Sequence, residues 1–133
     1  MRILIVDDEK HVRQSMALAL EDNHEVYTVE DGPKAYELIE KNMYDLVITD
    51  NNMPAMTGLE LITKARLIAP DTAYILMTAY GNADQAVKAL QNGVDDYFLK
   101  PIDIHELELR VQKIFKIRLL NSRETLSQQN QKG

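Results

Sequence analysis

Short apolar runs alternate along this chain with segments whose apolar residues recur every three or four positions. The first run, Ile3-Leu4-Ile5-Val6, has no polar interruption and stops at Asp7-Asp8-Glu9. A run of that kind reads as a strand buried on both faces. Val12, Met16, Ala19 and Leu20 then return at helical spacing. A second strand fits Glu25–Val29. Asp31 is placed to cap a helix with Gly32-Pro33 in its first turn and Ala35, Leu38 and Ile39 on its buried face. Leu46-Val47-Ile48-Thr49 is the third strand, ending in Asp50. After the loop 51–56, Thr57 and Glu60 form a capping box for a helix to about Ile68, stopped by Ala69-Pro70-Asp71. The fourth strand, 73–77, ends in Thr78. Asn82 is placed to cap a helix through Leu90, closed by Asn92-Gly93. Tyr97-Phe98-Leu99 is the fifth strand, ending in Lys100-Pro101. Asp103 with Glu106 is a second capping box, and Leu107, Val111, Ile114 and Phe115 share one face of the helix it opens.

Five strands alternating strictly with five helices predict an α/β fold. Strands separated by helices pair in parallel through right-handed crossovers, with helices on both faces of the sheet. No internal repeat goes beyond this alternation. Residues 121–133 are rich in Gln, Ser and Asn, with Leu126 as their one large apolar residue. That composition predicts a frayed helix end running into a linker.

Composition narrows the function classes. A chain of 133 residues suffices for one domain with a real core, whereas two would each be marginal. The absence of cysteine excludes disulfides, thiolate zinc sites, iron–sulfur clusters and cysteine nucleophiles. It also suits a reducing compartment. The N-terminus lacks the charged-then-apolar pattern of a signal peptide, and the apolar runs are too short to span a bilayer. A cytoplasmic protein without membrane contact is therefore expected. Lys and Arg number 15 against 21 Asp and Glu, a net charge of −6. Nucleic-acid surfaces are basic, so direct nucleic-acid binding by this domain is not expected.

The chemistry gathers where strands end. Asp7-Asp8, Asp50, Thr78 and Lys100 each follow or close a strand that does not itself need them. In an open parallel sheet, ligands bind beyond the carboxyl ends of the strands, where strand order reverses. If the first and third strands are neighbours, three carboxylates converge there. Such like charges require either a proton or a cation among them. An all-oxygen set suits Mg²⁺, and the nitrogen and sulfur ligands of zinc are absent. A phosphoryl group on a carboxylate would also give Lys100 and Thr78 a purpose, one pairing with and one hydrogen-bonding its oxygens. Aspartyl phosphate is a known covalent strategy. Asp50 is the candidate nucleophile, because it stands alone on a central strand and leaves Asp7 and Asp8 for the metal. Singly, each of these residues has an ordinary structural reading. Their joint placement at the ends of four strands carries the functional one.

With these residues in view, the sequence resembles the response-regulator receiver domain of two-component signalling over residues 1 to about 118. The resemblance rests on Asp7-Asp8, on Asp50-Asn51-Asn52-Met53-Pro54-Ala55-Met56-Thr57-Gly58, on Thr78-Ala79 and on Lys100-Pro101. It implies a flavodoxin-like, doubly wound (βα)5 three-layer sandwich with a parallel five-stranded sheet in the order 2-1-3-4-5. It implies that Asp50 accepts a phosphoryl group from a histidine kinase or phosphotransfer protein. Asp8, Asp50 and the backbone carbonyl of Asn52 would ligate Mg²⁺, and Asp7 would act through a metal-bound water. Lys100 would contact the phosphoryl oxygens, Thr78 would move toward them, and Tyr97 would rotate inward behind it. Such a domain catalyses its own phosphorylation and dephosphorylation and is a signalling switch, not a multiple-turnover enzyme. Asn51 is more polar than the residue many members carry there. Thr78-Ala79-Tyr80-Gly81 and Lys100-Pro101-Ile102-Asp103 look most like receivers of enhancer-binding transcription activators, which implies transcription as the output.

Other readings compete with this one. An unphosphorylated interaction module of the same fold would typically have lost an acidic residue or the lysine, and all are present. An aspartate-nucleophile phosphohydrolase would carry a second carboxylate two residues after the nucleophile, where this chain has Asn52. A flavodoxin-like cofactor binder would want a hydroxyl- and glycine-rich loop after the first strand, where Asp7-Asp8-Glu9 would repel phosphate. The histidines His11, His24 and His105 have no ligand spacing and read as surface residues. Asp95-Asp96 reads as a solvated loop, Gly93 as a helix terminator and Gly58 as a tight spot in its helix. The expected organisation is a receiver domain over 1–118 and a helix extension and linker over 119–133, toward a possible missing output domain. The expected readout surface is the fourth helix, fifth strand and fifth helix, roughly 82–118. Ile117, Leu119 and Leu120 continue apolar character along the last helix, which points to a possible homodimer through that surface.

Overall fold

The computed structural model describes residues 1–79, 81 and 83–132, with the backbone alone at 83 and 123–132. In chain order the elements are β1 (Arg2–Val6), α1 (Lys10–Leu20), β2 (Glu25–Val29), α2 (Gly32–Lys41), β3 (Leu46–Asp50), α3 (Gly58–Ile68), β4 (Ala73–Thr78), α4 (Ala83–Gln91), β5 (Asp96–Leu99) and α5 (Ile104–Lys132). The strands form one parallel sheet in the order β2-β1-β3-β4-β5. β1 leads outward to β2, and the chain then returns across it to β3. Right-handed crossovers in those opposite directions place α1 on one face of the sheet and α2 to α4 on the other. This is the flavodoxin-like arrangement.

The uninterrupted apolar runs are buried on both faces. Leu4, Val6, Val47, Tyr74 and Leu76 share one core cluster with Ala35 and Ile39 of α2, Leu61, Ile62 and Ala65 of α3, and Ala89 of α4. Ile3, Ile5, Leu46, Ile48, Ile75 and Met77 alternate with them along the strands and are also inaccessible to solvent. β1 and β3 are direct neighbours, with Val6 opposite Thr49. That register sets Asp7 beside Asp50, and the order of the sheet reverses at this pair of strands.

Local signals act as their residue types dictate. Asp31 Oδ1 accepts from Lys34 N at 2.8 Å, and Thr57 Oγ1 accepts from Glu60 N at 3.1 Å, capping α2 and α3. Gly93 closes α4 with a φ of +90°, a conformation that side chains resist. The expected cap at Asn82 lies outside the described residues.

The chain divides into two compact units, Met1–Ile102 and Asp103–Gly133. In the second, Asp103 Oδ1 accepts from His105 N at 2.9 Å and Glu106 N at 3.3 Å. α5 continues to Lys132, where fraying into a linker was expected from about Asn121. No Gly or Pro interrupts residues 104–132, and beyond Leu120 residues such as Arg, Glu, Leu and Gln sustain the helix without an apolar stripe. Phe115, Ile117, Leu119 and Leu120 are exposed. No described helix is long and apolar enough to cross a membrane.

Candidate functional site

Asp7, Asp8 and Asp50 meet at the carboxyl ends of β1 and β3. One carboxylate oxygen from each lies within 4.8 Å of the others. The sheet puts them there: β1 and β3 stop side by side, and the next residue of one and the last residue of the other cannot avoid the same crevice. Asp7 and Asp50 are buried, with exposures of 0% and 2%, whereas Asp8 faces solvent.

Lys100, arriving at the end of β5, is the cation among them. Its Nζ donates to Asp7 Oδ2 at 2.9 Å and lies 3.4 Å from Asp50 Oδ1. The peptide between Lys100 and Pro101 is cis. Burial pushes the Asp50 carboxyl up from its ordinary pKa, and the neighbouring charge of Asp7 adds to this; the Asn52 N–H and Lys100 oppose it. Burial alone would lower Lys100, but its bond to Asp7 and the charges of Asp7 and Asp50 leave it raised overall. One lysine therefore pairs with two of the three clustered carboxylates. This acidic, all-oxygen pocket fits a hard divalent cation, and the residues that would hold one are Asp7, Asp8 and Asp50.

The β3–α3 loop is held by its own polar groups. Asn51 N donates to Met77 O at 2.7 Å, tying the loop to β4, and Asn51 Oδ1 accepts from Leu59 N at 3.0 Å in the first turn of α3. The polar residue at this position thus satisfies an amide that a helix start otherwise leaves without a partner. Gly58 is required by space: a Cβ there would sit 2.4 Å from the Asp50 backbone oxygen and 2.8 Å from Leu76 Cδ1. Asn52 N donates to Asp50 Oδ1 at 3.2 Å, so the loop also bonds the carboxylate itself.

Thr78 closes β4 and is buried. Its hydroxyl donates to Asn52 Oδ1 at 2.9 Å, and the following Ala79 N donates to the same oxygen at 3.3 Å. Tyr97 packs its ring against the core cluster, and its hydroxyl is buried beside Gly81, whose added Cβ would meet that oxygen at 2.4 Å. The structure therefore brings Asp7, Asp8, Asp50, Asn52, Thr78 and Lys100 to one crevice, with Tyr97 beside the β4–α4 loop. Sequence reading missed the side-chain roles of Asn51 and Asn52. It also missed Arg13, whose Nη1 donates to the Asp7 backbone oxygen at 2.7 Å. Arg13 stands six residues on, near the start of α1, where no motif marks it.

A five-stranded sheet of this order, with carboxylates at its point of reversal and a lysine facing them, defines a class of signalling domain rather than a single protein. The profile of the response regulator receiver domain matches residues 3–112. The chain belongs to this family. It is 36% identical over 115 residues to the transcriptional regulatory protein SrrA of Staphylococcus aureus, covering 86% of this chain and 47% of that regulator. The chain thus spans about half the length of that relative. Among solved structures it is similar to the receiver domain of a Francisella response regulator, with 31% identity, a TM-score of 0.83, and 88% and 98% of the two chains covered. It is also similar to the beryllofluoride-activated NtrC4 receiver domain dimer, with 28% identity, a TM-score of 0.81 and coverage of 86% and 96%.

Proposed function

We propose that this receiver domain is switched by phosphorylation of Asp50, with Mg²⁺ held by Asp7, Asp8, Asp50 and the backbone carbonyl of Asn52. The observation that carries the proposal is the asymmetry among the three carboxylates. Asp7 accepts from Lys100 Nζ and from Glu9 N, each at 2.9 Å, and Asp8 lies in solvent, whereas Asp50, buried like Asp7, is held more loosely, by Lys100 at 3.4 Å and Asn52 N at 3.2 Å, at the sheet's point of reversal. An Asp50 carboxylate oxygen attacks the phosphorus of a phosphohistidine on a histidine kinase or phosphotransfer protein. The new O–P bond forms as the P–N bond breaks, and the imidazole nitrogen keeps the electron pair. Bound Mg²⁺ would neutralise charge on the transferring oxygens. Lys100 supplies a second positive charge, and its 3.4 Å approach to Asp50 places it within reach of a group attached there. Attack by water on phosphorus later reverses the modification.

The switch is a shift between two conformations, because the phosphoryl group offers Thr78 and Lys100 partners in only one of them. Because SrrA is a transcriptional regulatory protein, the output proposed for the longer protein is transcription. The proposed readout surface is α4, β5 and α5, with a homodimer formed there on phosphorylation. The NtrC4 receiver offers a precedent as a beryllofluoride-activated dimer. No specific observation favours an unphosphorylated module, because every acidic residue and the lysine are in place.

The test is intact-mass spectrometry after incubation with a small phosphodonor and Mg²⁺. The wild-type chain should gain one phosphoryl group, Asp50→Asn should gain none, and Asp8→Ala should gain it more slowly and need more Mg²⁺. A wild-type rate of gain in Asp50→Asn would remove Asp50 from the nucleophile's role, and an unchanged Mg²⁺ requirement in Asp8→Ala would remove Asp8 from the metal site.

A further inference from the structure

The side chain of Asn52 does something that its place in the acceptor loop does not require. Its backbone N–H bonds the Asp50 carboxylate at 3.2 Å, while its side chain reaches across to the end of β4. There one oxygen accepts two bonds, from the Thr78 hydroxyl at 2.9 Å and from Ala79 N at 3.3 Å. The backbone amide can only donate, so the atom facing it is the carbonyl oxygen of Asn52 and not its nitrogen. A hydroxyl has a single proton to donate. While Thr78 gives that proton to Asn52, it cannot give it to an oxygen on Asp50.

We propose that the Asn52 carboxamide is a positioning residue that tethers Thr78 and the start of the β4–α4 loop in the unphosphorylated arrangement. This inference rests on the reading of Asp50 as the phosphoryl acceptor. A phosphoryl group gains Thr78 as a partner only as the Asn52 bond is given up, so the strength of the tether sets part of the equilibrium between the two conformations. Asn52 occupies both sides of this exchange. Its main chain touches the acceptor carboxylate, and its side chain holds the hydroxyl that the modified carboxylate would recruit. A change at Asp50 is thereby transmitted to β4 through one residue. The tether acts on Thr78 and not on the reacting atoms.

The strength expected of such a bond fixes the expected effect. A net side-chain hydrogen bond shifts an equilibrium by roughly three- to tenfold. Asn52→Ala should therefore raise the affinity for beryllofluoride, a phosphoryl stand-in, by about that factor in the presence of Mg²⁺. In a Thr78→Val background, which has no hydroxyl to tether, the same substitution should raise affinity far less. An equal gain in both backgrounds, or no gain in either, would overturn the proposal. A second measurement stands apart from phosphorylation: hydrogen exchange at the Ala79 amide of the unmodified protein. Exchange should be faster in Asn52→Ala than in wild type, and unchanged exchange would overturn the tether. Wild-type protein that bound no beryllofluoride with Mg²⁺ would overturn the phosphorylation reading and the switching role with it, whereas the Ala79 amide would still report whether the tether exists.

Discussion

The two ends of the sheet use the same residue type in opposite ways. At the amino end, aspartates serve the backbone. Asp45 Oδ2 accepts from Arg2 N at 2.8 Å, tying the start of β1 to the turn before β3. Asp95 Oδ2 accepts from Tyr74 N at 2.7 Å, tying β4 to the approach of β5. Thr72 Oγ1 donates to Tyr44 O at 2.7 Å, and the Tyr74 hydroxyl donates to Ala69 O at 2.9 Å. The two carboxylates there bond strand amides, and the two hydroxyls bond carbonyls of the turn before β3 and of the end of α3. At the carboxyl end, Asp7, Asp8 and Asp50 converge on one another instead, with Lys100 paired to Asp7 and Asp50. Buried carboxylates that face each other cost stability unless a proton or cation joins them. The difference lies in the neighbours: the amino-end aspartates bond strand amides, whereas the carboxyl-end aspartates also face one another's charge, an arrangement that suits a bound cation.

The comparison breaks most visibly at Asp95. Asp95→Ala would leave the Tyr74 amide of a central strand without its partner, at a cost of about 1–3 kcal/mol. Urea unfolding should show that loss, whereas phosphoryl uptake per folded molecule should persist. A stability change near zero would mean that the amino-end carboxylates are ornamental and the contrast false.

A smaller effect of opposite sign is expected at Asp50. Its pKa is raised in the folded state, chiefly by burial, so the folded protein binds this proton more tightly than the unfolded chain does. The ionised group is then a stability penalty that is fully present above the raised pKa and fades as pH falls through it. Asp50→Asn should stabilise the metal-free protein at neutral pH by on the order of 1 kcal/mol, with Lys100 losing one of its partners as a partial offset. The advantage should narrow as pH falls into the carboxylate range. Added Mg²⁺ should also narrow it, by stabilising the wild type alone. Asp50→Asn that destabilised the metal-free protein at neutral pH would show that the carboxyl end is as well satisfied as the amino end.

How much of this was legible in the sequence follows from range. The strands announced themselves, because Ile3-Leu4-Ile5-Val6 and Leu46-Val47-Ile48-Thr49 are uninterrupted and stop at charged residues. Asp31 and Thr57 could be read as caps, since both act on amides three residues away. The gathering of Asp7, Asp8, Asp50, Thr78 and Lys100 followed from their shared position at strand ends. What escaped was chemistry fixed by a partner distant in sequence. Asp95 reads as a solvated loop until β4 is set beside it, 21 residues away in the chain. Asn52 reads as a missing carboxylate until Thr78, 26 residues on, is seen to donate to it. The last part of α5 escaped for another reason: a helix held by propensity, with no apolar stripe, has no periodicity to read.

The most direct test of the account is to locate the phosphoryl group. Protein treated with a small phosphodonor and Mg²⁺ can be trapped with borohydride, which reduces an acyl phosphate to the alcohol, and then mapped by peptide mass spectrometry. The account predicts a single reduced carboxyl, at Asp50, with Asp7 and Asp8 untouched. Reduction at Asp7 or Asp8 with Asp50 intact would contradict it.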